Sequence, residues 1–264
     1  MRNIIKALNY QMRRDNATYI ILFLAVGMML TVLLTSISGP FEDLNGSIMS
    51  VSIGEAGFMA IASISVLFTA RICGWDFNDK TVNYELLSGH NKTEVFFSRV
   101  IVSLVWVTVL CLVCVSAPVI FCTAVNGWGS NADIKGMLIR LAMLVIPIFR
   151  TVCEMVLLTF LVRNCYASMI LGWLGYEFGL VISMMPYDMF GSSLDITLFF
   201  SASSVYNMLT FSNFSFGYVD SKDIQVFETG ISELHFYGKI ATGLGVGAVC
   251  LALAYLIFRK SDMN

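Results

Sequence analysis

Charged residues are scarce in this sequence, and their scarcity excludes an ordinary soluble domain. Asp, Glu, Lys and Arg make up 13% of the 264 residues, whereas soluble globular domains carry about 25%. Hydrophobic residues make up 57%, and the mean hydropathy is +0.78. The apolar residues are concentrated in runs of the roughly 20 residues that a helix needs to cross a bilayer. Together these features predict an all-α integral membrane protein.

The groups that carry enzyme and metal chemistry are equally scarce. The two histidines, His90 and His235, fall on opposite sides of the membrane in the topology that the charges predict. The sequence contains neither an H-E-x-x-H zinc motif nor a G-x-S-x-G nucleophile motif. Its seven cysteines lie within or at the ends of apolar runs, which favours small hydrophobic side chains over a metal or redox site. We therefore expect no catalytic residue, no metal and no cofactor bound by this chain, and a protein that is not an enzyme.

Six apolar runs are long enough to span a membrane, at residues 18–37, 53–72, 97–125, 137–162, 165–185 and 238–258. The third run is longer than a bilayer requires and contains Pro118, so we expect a tilt or kink near its outer end. No linker or low-complexity tract divides the chain, which predicts one domain over residues 1–264. Residues 186–237 are apolar but interrupted by polar side chains, and we interpret them as outer-face helices that are partly re-entrant.

The basic residues predict the orientation. Of the 16 Lys and Arg residues, Arg140 and Arg150 lie inside predicted spans. If the N-terminus is inside, eleven of the others are cytoplasmic and only Lys135, Lys222 and Lys239 are outside. Loops on the cytoplasmic side of membrane proteins carry such an excess of Lys and Arg. We therefore predict a multi-pass protein of the cytoplasmic membrane with both termini in the cytoplasm.

The first fifteen residues have the pattern of an amphipathic helix. At 100° per residue, four apolar side chains share an arc of roughly 100°, whereas the basic residues gather on another side. The apolar positions are Ile4, Ile5, Leu8 and Met12. A helix of this kind lies in the membrane interface with its apolar face down. The alternative is a disordered basic tail.

Four charged residues lie inside predicted spans, beyond the first or last three residues of the span. Arg140, Arg150 and Glu154 fall within about 80° of one another on the fourth span, and Glu177 lies near the middle of the fifth. A charge facing lipid at mid-bilayer costs at least roughly 2.5–3.5 kcal/mol, so these side chains must face protein or water. In one interpretation they line a substrate path or contact a second subunit. In the other, Arg150 pairs with Glu154 or Glu177 as a structural tie.

Two pairs of glycines have the spacing that lets membrane helices approach closely. Gly175 and Gly179 lie in the fifth span, and Gly243 and Gly247 lie in the sixth. We predict that each pair forms a helix-packing surface.

The longest charged interruption covers residues 71–99, between the second and third spans. Within it, residues 81–87 are mixed apolar and polar and are bounded by turn-forming residues on both sides. A short helix there would expose Val82, Tyr84, Leu86 and Leu87 for docking to a partner, because such anchors carry most interface energy. The alternative is a loop folded back onto its own helix ends.

This loop resembles the first cytoplasmic loop of ABC-2 type transporter permeases. The similar residues are Asp76-Phe77-Asn78-Asp79-Lys80-Thr81, then Glu85-Leu86-Leu87-Ser88-Gly89 and Lys92-Thr93. Lys80 departs from the family pattern, which often has Gly before the Thr. The predicted architecture is also similar to that family over almost the whole chain: an amphipathic N-terminal helix, six spans and re-entrant helices before the last span.

The resemblance implies a permease subunit that works with a separate ATP-hydrolysing subunit. In that family the loop forms a coupling helix on the ATPase, beside the interfacial helix. The matching positions are Thr81, Val82, Tyr84, Glu85, Leu86, Leu87 and Ser88. The chain has no G-x-x-x-x-G-K-[ST] phosphate loop, so ATP and Mg would bind the partner ATPase.

The expected partners are ABC ATPase subunits, a second permease (identical or paralogous) and membrane lipids, with no nucleic acid. The expected activity is export of a peptide, drug or lipid-like substrate. The alternative is an ion-coupled secondary transporter that uses Glu154 and Glu177.

Overall fold

The structure is a computed structural model. It describes residues 1–36, 45–52, 54–78, 88–129, 134–184, 218–220, 223–225 and 233–260, together with Ala202 and Val205.

The described part of the chain is built from helices. They are α1 (Arg2–Arg14), α2 (Asn16–Ser36), α3 (Gly46–Ser52), α4 (Gly54–Asn78), α5 (Lys92–Asn126), α6 (Ile134–Val162), α7 (Cys165–Met184) and α8 (Glu233–Lys260). Two three-residue strands, β1 (Tyr218–Asp220) and β2 (Asp223–Gln225), pair antiparallel with Val219 opposite Ile224.

Four of these helices are long and apolar enough to cross a membrane. The spanning segments are Gly57–Trp75, Lys92–Asn126, Leu141–Val162 and Ile240–Lys260, and a shorter apolar helix covers Asn16–Thr31. By length and composition, the chain is therefore an all-α, multi-pass membrane protein, as predicted. The count of six spans, the identity of the membrane and the orientation stay predictions.

Helix α4 lies at the centre of the bundle. In its spanning segment 83% of the residues are buried, against 17% in the spanning segment of α8. It contacts α2, α5, α6 and α7, whereas α8 packs mainly on α6. Ala60, Ala62 and Ile64 of α4 are fully buried. Small and β-branched side chains such as these let other helices pack against several sides of α4.

An aromatic cluster joins α5, α6 and α8 at their predicted cytoplasmic ends. The Phe96 ring centroid lies 5.2 Å from that of Phe160, and Phe160 lies 5.1 Å from Phe258. Phe97 and Tyr255 extend the cluster, with ring centroids 5.7 Å apart. Buried aromatic pairs of this geometry contribute about 0.5–1.5 kcal/mol each beyond the area that they bury. The cluster therefore fixes the first turns of α5, which follow the predicted coupling segment, to the ends of two spans.

Pro118, where a tilt or kink was expected, lies inside a continuous helix, and so does Pro147. Pro118 is within α5 and Pro147 is within α6. One turn after Pro147, the Thr151 hydroxyl donates a hydrogen bond of 2.9 Å to the Pro147 carbonyl. A bond of this kind satisfies a buried hydroxyl inside an apolar helix.

The hairpin of β1 and β2 departs from the outer-face helices predicted for residues 186–237. Most of that segment lies outside the described residues. In the hairpin, Val219 and Ile224 are directly opposed, and β-branched side chains favour extended backbone. The helical prediction was therefore wrong for residues 218–220 and 223–225.

One of the two predicted glycine surfaces is present. A Cβ atom on Gly243 would lie 2.9 Å from Ile146 Cγ2, and one on Gly247 would lie 2.7 Å from Phe149 Cε1, so both glycines pack closely on α6. The prediction was wrong for Gly175, where a Cβ atom would meet nothing within 4 Å. The close approach in α7 is instead at Gly172, where a Cβ atom would lie 2.5 Å from Met155 Sδ.

Candidate functional site

Helix α1 is amphipathic, as the periodicity predicted. Ile4, Leu8 and Met12 are 4–5% exposed and belong to the main hydrophobic core, and Ile5 packs against that core. The basic side chains of the helix are exposed. The disordered tail was therefore the wrong alternative, because three apolar side chains one turn apart find partners in the bundle.

A single extended residue, Asp15, separates α1 from α2 and binds α4. Asp15 Oδ1 accepts a hydrogen bond of 3.2 Å from the backbone N–H of Ala17, which places the carboxylate at the start of α2. Arg71 Nε donates to Asp15 Oδ2 at 2.7 Å, and the Arg71 guanidinium lies 3.4 Å from the centroid of the Trp75 ring. The junction of α1 and α2 is thus held to α4 near its end at Asn78.

Replacing Asp15 with Asn tests this connection. Asn keeps an oxygen that can accept from the Ala17 N–H but loses the charge that pairs with Arg71, so we expect the free energy of unfolding to fall by about 1.5 kcal/mol. The measurement is thermal unfolding of the detergent-purified protein. Glu94→Gln is the control, since Glu94 is 41% exposed and its contacts with His90 and the N-terminal amine are 3.5 and 3.6 Å long. Exposed pairs of this kind contribute less than about 1 kcal/mol each. Equal loss in both variants would contradict a specific role for Asp15.

A second connection joins α1 to α5. Trp106 Nε1 donates a hydrogen bond of 2.7 Å to Asn9 Oδ1. The beginning of α5 is in turn bound to the end of α8, where the Thr93 and Tyr255 hydroxyls lie 3.0 Å apart. Helix α1 therefore contacts α5, and the Asp15 junction that follows α1 contacts α4; these are the two helices that flank the predicted coupling segment.

Most of the predicted coupling segment falls outside the described residues. These positions are Thr81, Val82, Tyr84, Glu85, Leu86 and Leu87. Ser88 is described and is exposed in a turn before α5. The next residue, Gly89, has a φ of 91°, which glycine adopts without strain. Whether the segment docks on a partner or folds back on the bundle stays a prediction.

The intramembrane charges include one close ion pair. Arg150 is fully buried, and its Nε donates to Glu154 Oε1 at 2.7 Å, one helical turn along α6. The Glu154 side chain is 30% exposed. Arg140 also lies in α6, but its side chain is outside the described part of the structure. The sequence suggested Glu154 or Glu177 as the partner of Arg150, and the structure shows the pair with Glu154.

Glu154 also borders a cavity between α6 and α7. The α6–α7 cavity has a volume of about 360 Å³ and is lined by Glu154, Thr151, Tyr176, Gly175 and Gly179, among others. The Tyr176 ring packs on Phe58 at 5.1 Å between centroids. The Tyr176 hydroxyl has no hydrogen-bond partner in the described part of the chain. The cavity thus has the Glu154 carboxylate within a largely apolar wall, a composition suited to a mostly apolar molecule with a polar group.

Glu177 has no ion pair among the described residues and lies at the edge of the outward face of α7. That face carries Leu174, Phe178 and Val181, which are 59%, 67% and 52% exposed. If α7 crosses the membrane as predicted, a carboxylate that faces lipid near the middle of this helix is costly. A protein surface covering this face of α7 would remove that cost.

Sequence reasoning missed Asp15, Asn9 and Tyr176. Asp15 had a signal, because it follows the last periodic residue of α1 and an acidic residue favours the start of a helix. Asn9 and Tyr176 had none, since their roles depend on which neighbours face them.

No protein-family model matches this chain, and no curated protein matches it significantly. The likeness to ABC-2 permeases therefore rests on the loop residues and the architecture.

Proposed function

We propose that this chain is the permease subunit of an ABC-2 type transporter, driven by a separate ATPase that docks on residues 81–88. The observation that carries the proposal is the double attachment of α1. Asp15 binds Arg71 near the end of α4, and Asn9 binds Trp106 on α5. The coupling segment connects α4 to α5, so a force that the ATPase exerts on this segment would move α4, α5 and α1 together.

The composition of the chain supports a transport role without its own ATP chemistry. The sequence lacks a phosphate loop, so ATP and Mg would bind the partner. Binding of ATP would close the ATPase subunits and shift the coupling segments of two permeases. The carboxylate of Glu177 and the exposed apolar face of α7 suit a contact with the second permease, since a neighbouring helix would shield that charge from lipid. Export of a peptide, drug or lipid-like molecule is the expected direction.

The partner is tested by purifying the chain from its native membrane in mild detergent. We expect a soluble ATPase to co-purify in a fixed ratio. Tyr84→Ala should weaken its association at least tenfold, because a buried Tyr anchor at an interface contributes about 2 kcal/mol or more. Asn91→Ala is the matched control in the same loop, since Asn91 is exposed and makes no side-chain cap hydrogen bond. Unchanged association of the Tyr84 variant would contradict docking through this segment.

Ion-coupled secondary transport is the second candidate, and Glu154 favours it. Its carboxylate borders the α6–α7 cavity while pairing with Arg150, an arrangement that could exchange a proton or a cation. Reconstitution of the purified chain alone separates the two candidates. Transport driven by a proton or sodium gradient without ATPase would refute the ABC proposal, whereas strict dependence on the ATPase and ATP would support it.

A further inference from the structure

A second cavity lies between the polar side of α1 and the outer side of α5. The α1–α5 cavity has a volume of about 530 Å³. Helix α1 contributes Lys6, Asn9, Tyr10 and Arg13, at positions i, i+3, i+4 and i+7 of one helical stripe. This stripe is on the side of α1 opposite Ile4 and Leu8, which face the core.

The α1 wall of this cavity carries uncompensated positive charge. Neither Lys6 nor Arg13 has a side-chain hydrogen bond or ion pair in the described part of the chain. Arg14 adds a third cation at the rim, where its guanidinium lies 5.1 Å from the Tyr10 ring centroid. Asn9 uses its oxygen to accept from Trp106, so its amide N–H groups stay available as donors. The wall is therefore built to receive an anionic group.

The α5 wall is apolar and continues along the helix. Val105 and Val109 line the cavity and are 57% and 53% exposed. Val113, one turn further along, is 54% exposed. Spacing of four residues places these valines in one outward stripe that leads away from the cationic wall. A ligand that contacts both walls of the cavity therefore needs an anionic end and a long apolar end.

The cavity lies where a membrane protein meets the lipid headgroups. Helix α5 has 35 residues, hence a length of about 52 Å, whereas the hydrocarbon core is about 30 Å thick. Part of α5 must therefore extend beyond the hydrocarbon, and the charged Lys92 and Glu94 indicate that this is its first part. Cys73 Sγ and Ser103 Oγ are 3.4 Å apart, which places Trp106 level with Arg71 and its partner Asp15. Trp and Tyr side chains are enriched at this depth.

We propose that the α1–α5 cavity binds an anionic phospholipid. Its phosphate lies between Lys6 and Arg13, and one acyl chain follows Val105, Val109 and Val113. An acidic peptide would satisfy the basic side chains but would leave the valine stripe without an apolar partner. This site is independent of the proposed transport function, because it rests on the two cavity walls alone.

The test is native mass spectrometry of the full chain with added phosphatidylglycerol, which is anionic, or phosphatidylcholine, which is not. We expect preferential binding of phosphatidylglycerol. The double variant Lys6→Gln, Arg13→Gln should bind it about 25-fold more weakly, about fivefold for each positive charge lost near the anionic group. The control double variant Arg2→Gln, Lys260→Gln removes the same net charge from exposed residues that do not line the cavity. It should bind as the parent does.

Two further probes separate a lipid from other anions. Dihexanoyl phosphatidylglycerol should bind more weakly than the long-chain lipid, because it cannot reach along the valine stripe. Equal affinity of the two lipids, or displacement of the lipid by millimolar inorganic phosphate, would overturn the lipid assignment. Equal loss of binding in the two double variants would also overturn it, as would a polyglutamate peptide that binds the parent where phosphatidylglycerol does not.

Circular dichroism checks that the two double variants fold. It should show the same helix content and melting temperature for both, since all four replaced side chains are exposed.

Discussion

Replacement of Glu154 by Gln is expected to lower the free energy of unfolding by about 3 kcal/mol. Removing one partner of a buried ion pair takes its counter-charge away from the other, which costs about 3–5 kcal/mol. Arg150 is fully buried, but Glu154 is 30% exposed, so the lower end of that range applies. The measurement is thermal or denaturant unfolding of the detergent-purified protein, together with its yield in the membrane.

Two further variants make the test of Glu154 specific. Glu177→Gln removes a carboxylate of the neighbouring helix α7 that has no ion pair among the described residues, and it should not destabilise the isolated chain. The double variant Arg150→Met, Glu154→Leu should recover most of the lost stability, because an apolar pair avoids the desolvation of both charges. Normal assembly of Glu154→Gln with loss of transport would instead show that the carboxylate of the α6–α7 cavity acts on the substrate or a coupling ion.

The sequence predicted those features that depend on residues close together in the chain. The amphipathic face of α1 follows from its periodicity, and the pair of Arg150 and Glu154 follows from their separation of one helical turn. The all-α membrane class follows from the length of the apolar runs. Each of these can be read from one helix, with no knowledge of its neighbours.

Features that depend on the packing of distant helices could not be predicted in this way. Asp15 and Arg71 are 56 residues apart, and Asn9 and Trp106 are 97 residues apart. Both contacts form because α1 packs on α5 and the junction of α1 with α2 lies against α4. Gly175 shows the same limit, since small-residue spacing does not tell which face of α7 meets a neighbour. The sequence pattern alone did not distinguish Gly175 from Gly247.

Replacement of Gly247 by Val is expected to destabilise the contact between α6 and α8 by about 3 kcal/mol. A Cβ atom at Gly247 would lie 2.7 Å from Phe149 Cε1 and 3.5 Å from Arg150 Cα. The Phe149 ring must therefore move, and the branched Val side chain adds two more carbons against the α6 backbone. Overpacking of a close contact costs about 1–3 kcal/mol, and the nearby backbone places this site at the upper end. For a chain of this size, the melting temperature should fall by about 6–12 °C.

Gly245 provides a control on the same helix. It is exposed, and a Cβ atom there would meet nothing within 4 Å. Gly245→Val therefore makes the same chemical change, with the same effect on helix propensity, without a clash. The melting temperature of this variant should equal or exceed that of the parent, since Val is a better helix former than Gly. A similar fall in both variants would mean that α8 does not present Gly247 to α6, and that the close approach beside Arg150 is absent. A fall confined to Gly247→Val would establish that α8 packs closely on α6 at Phe149 and the Arg150 backbone.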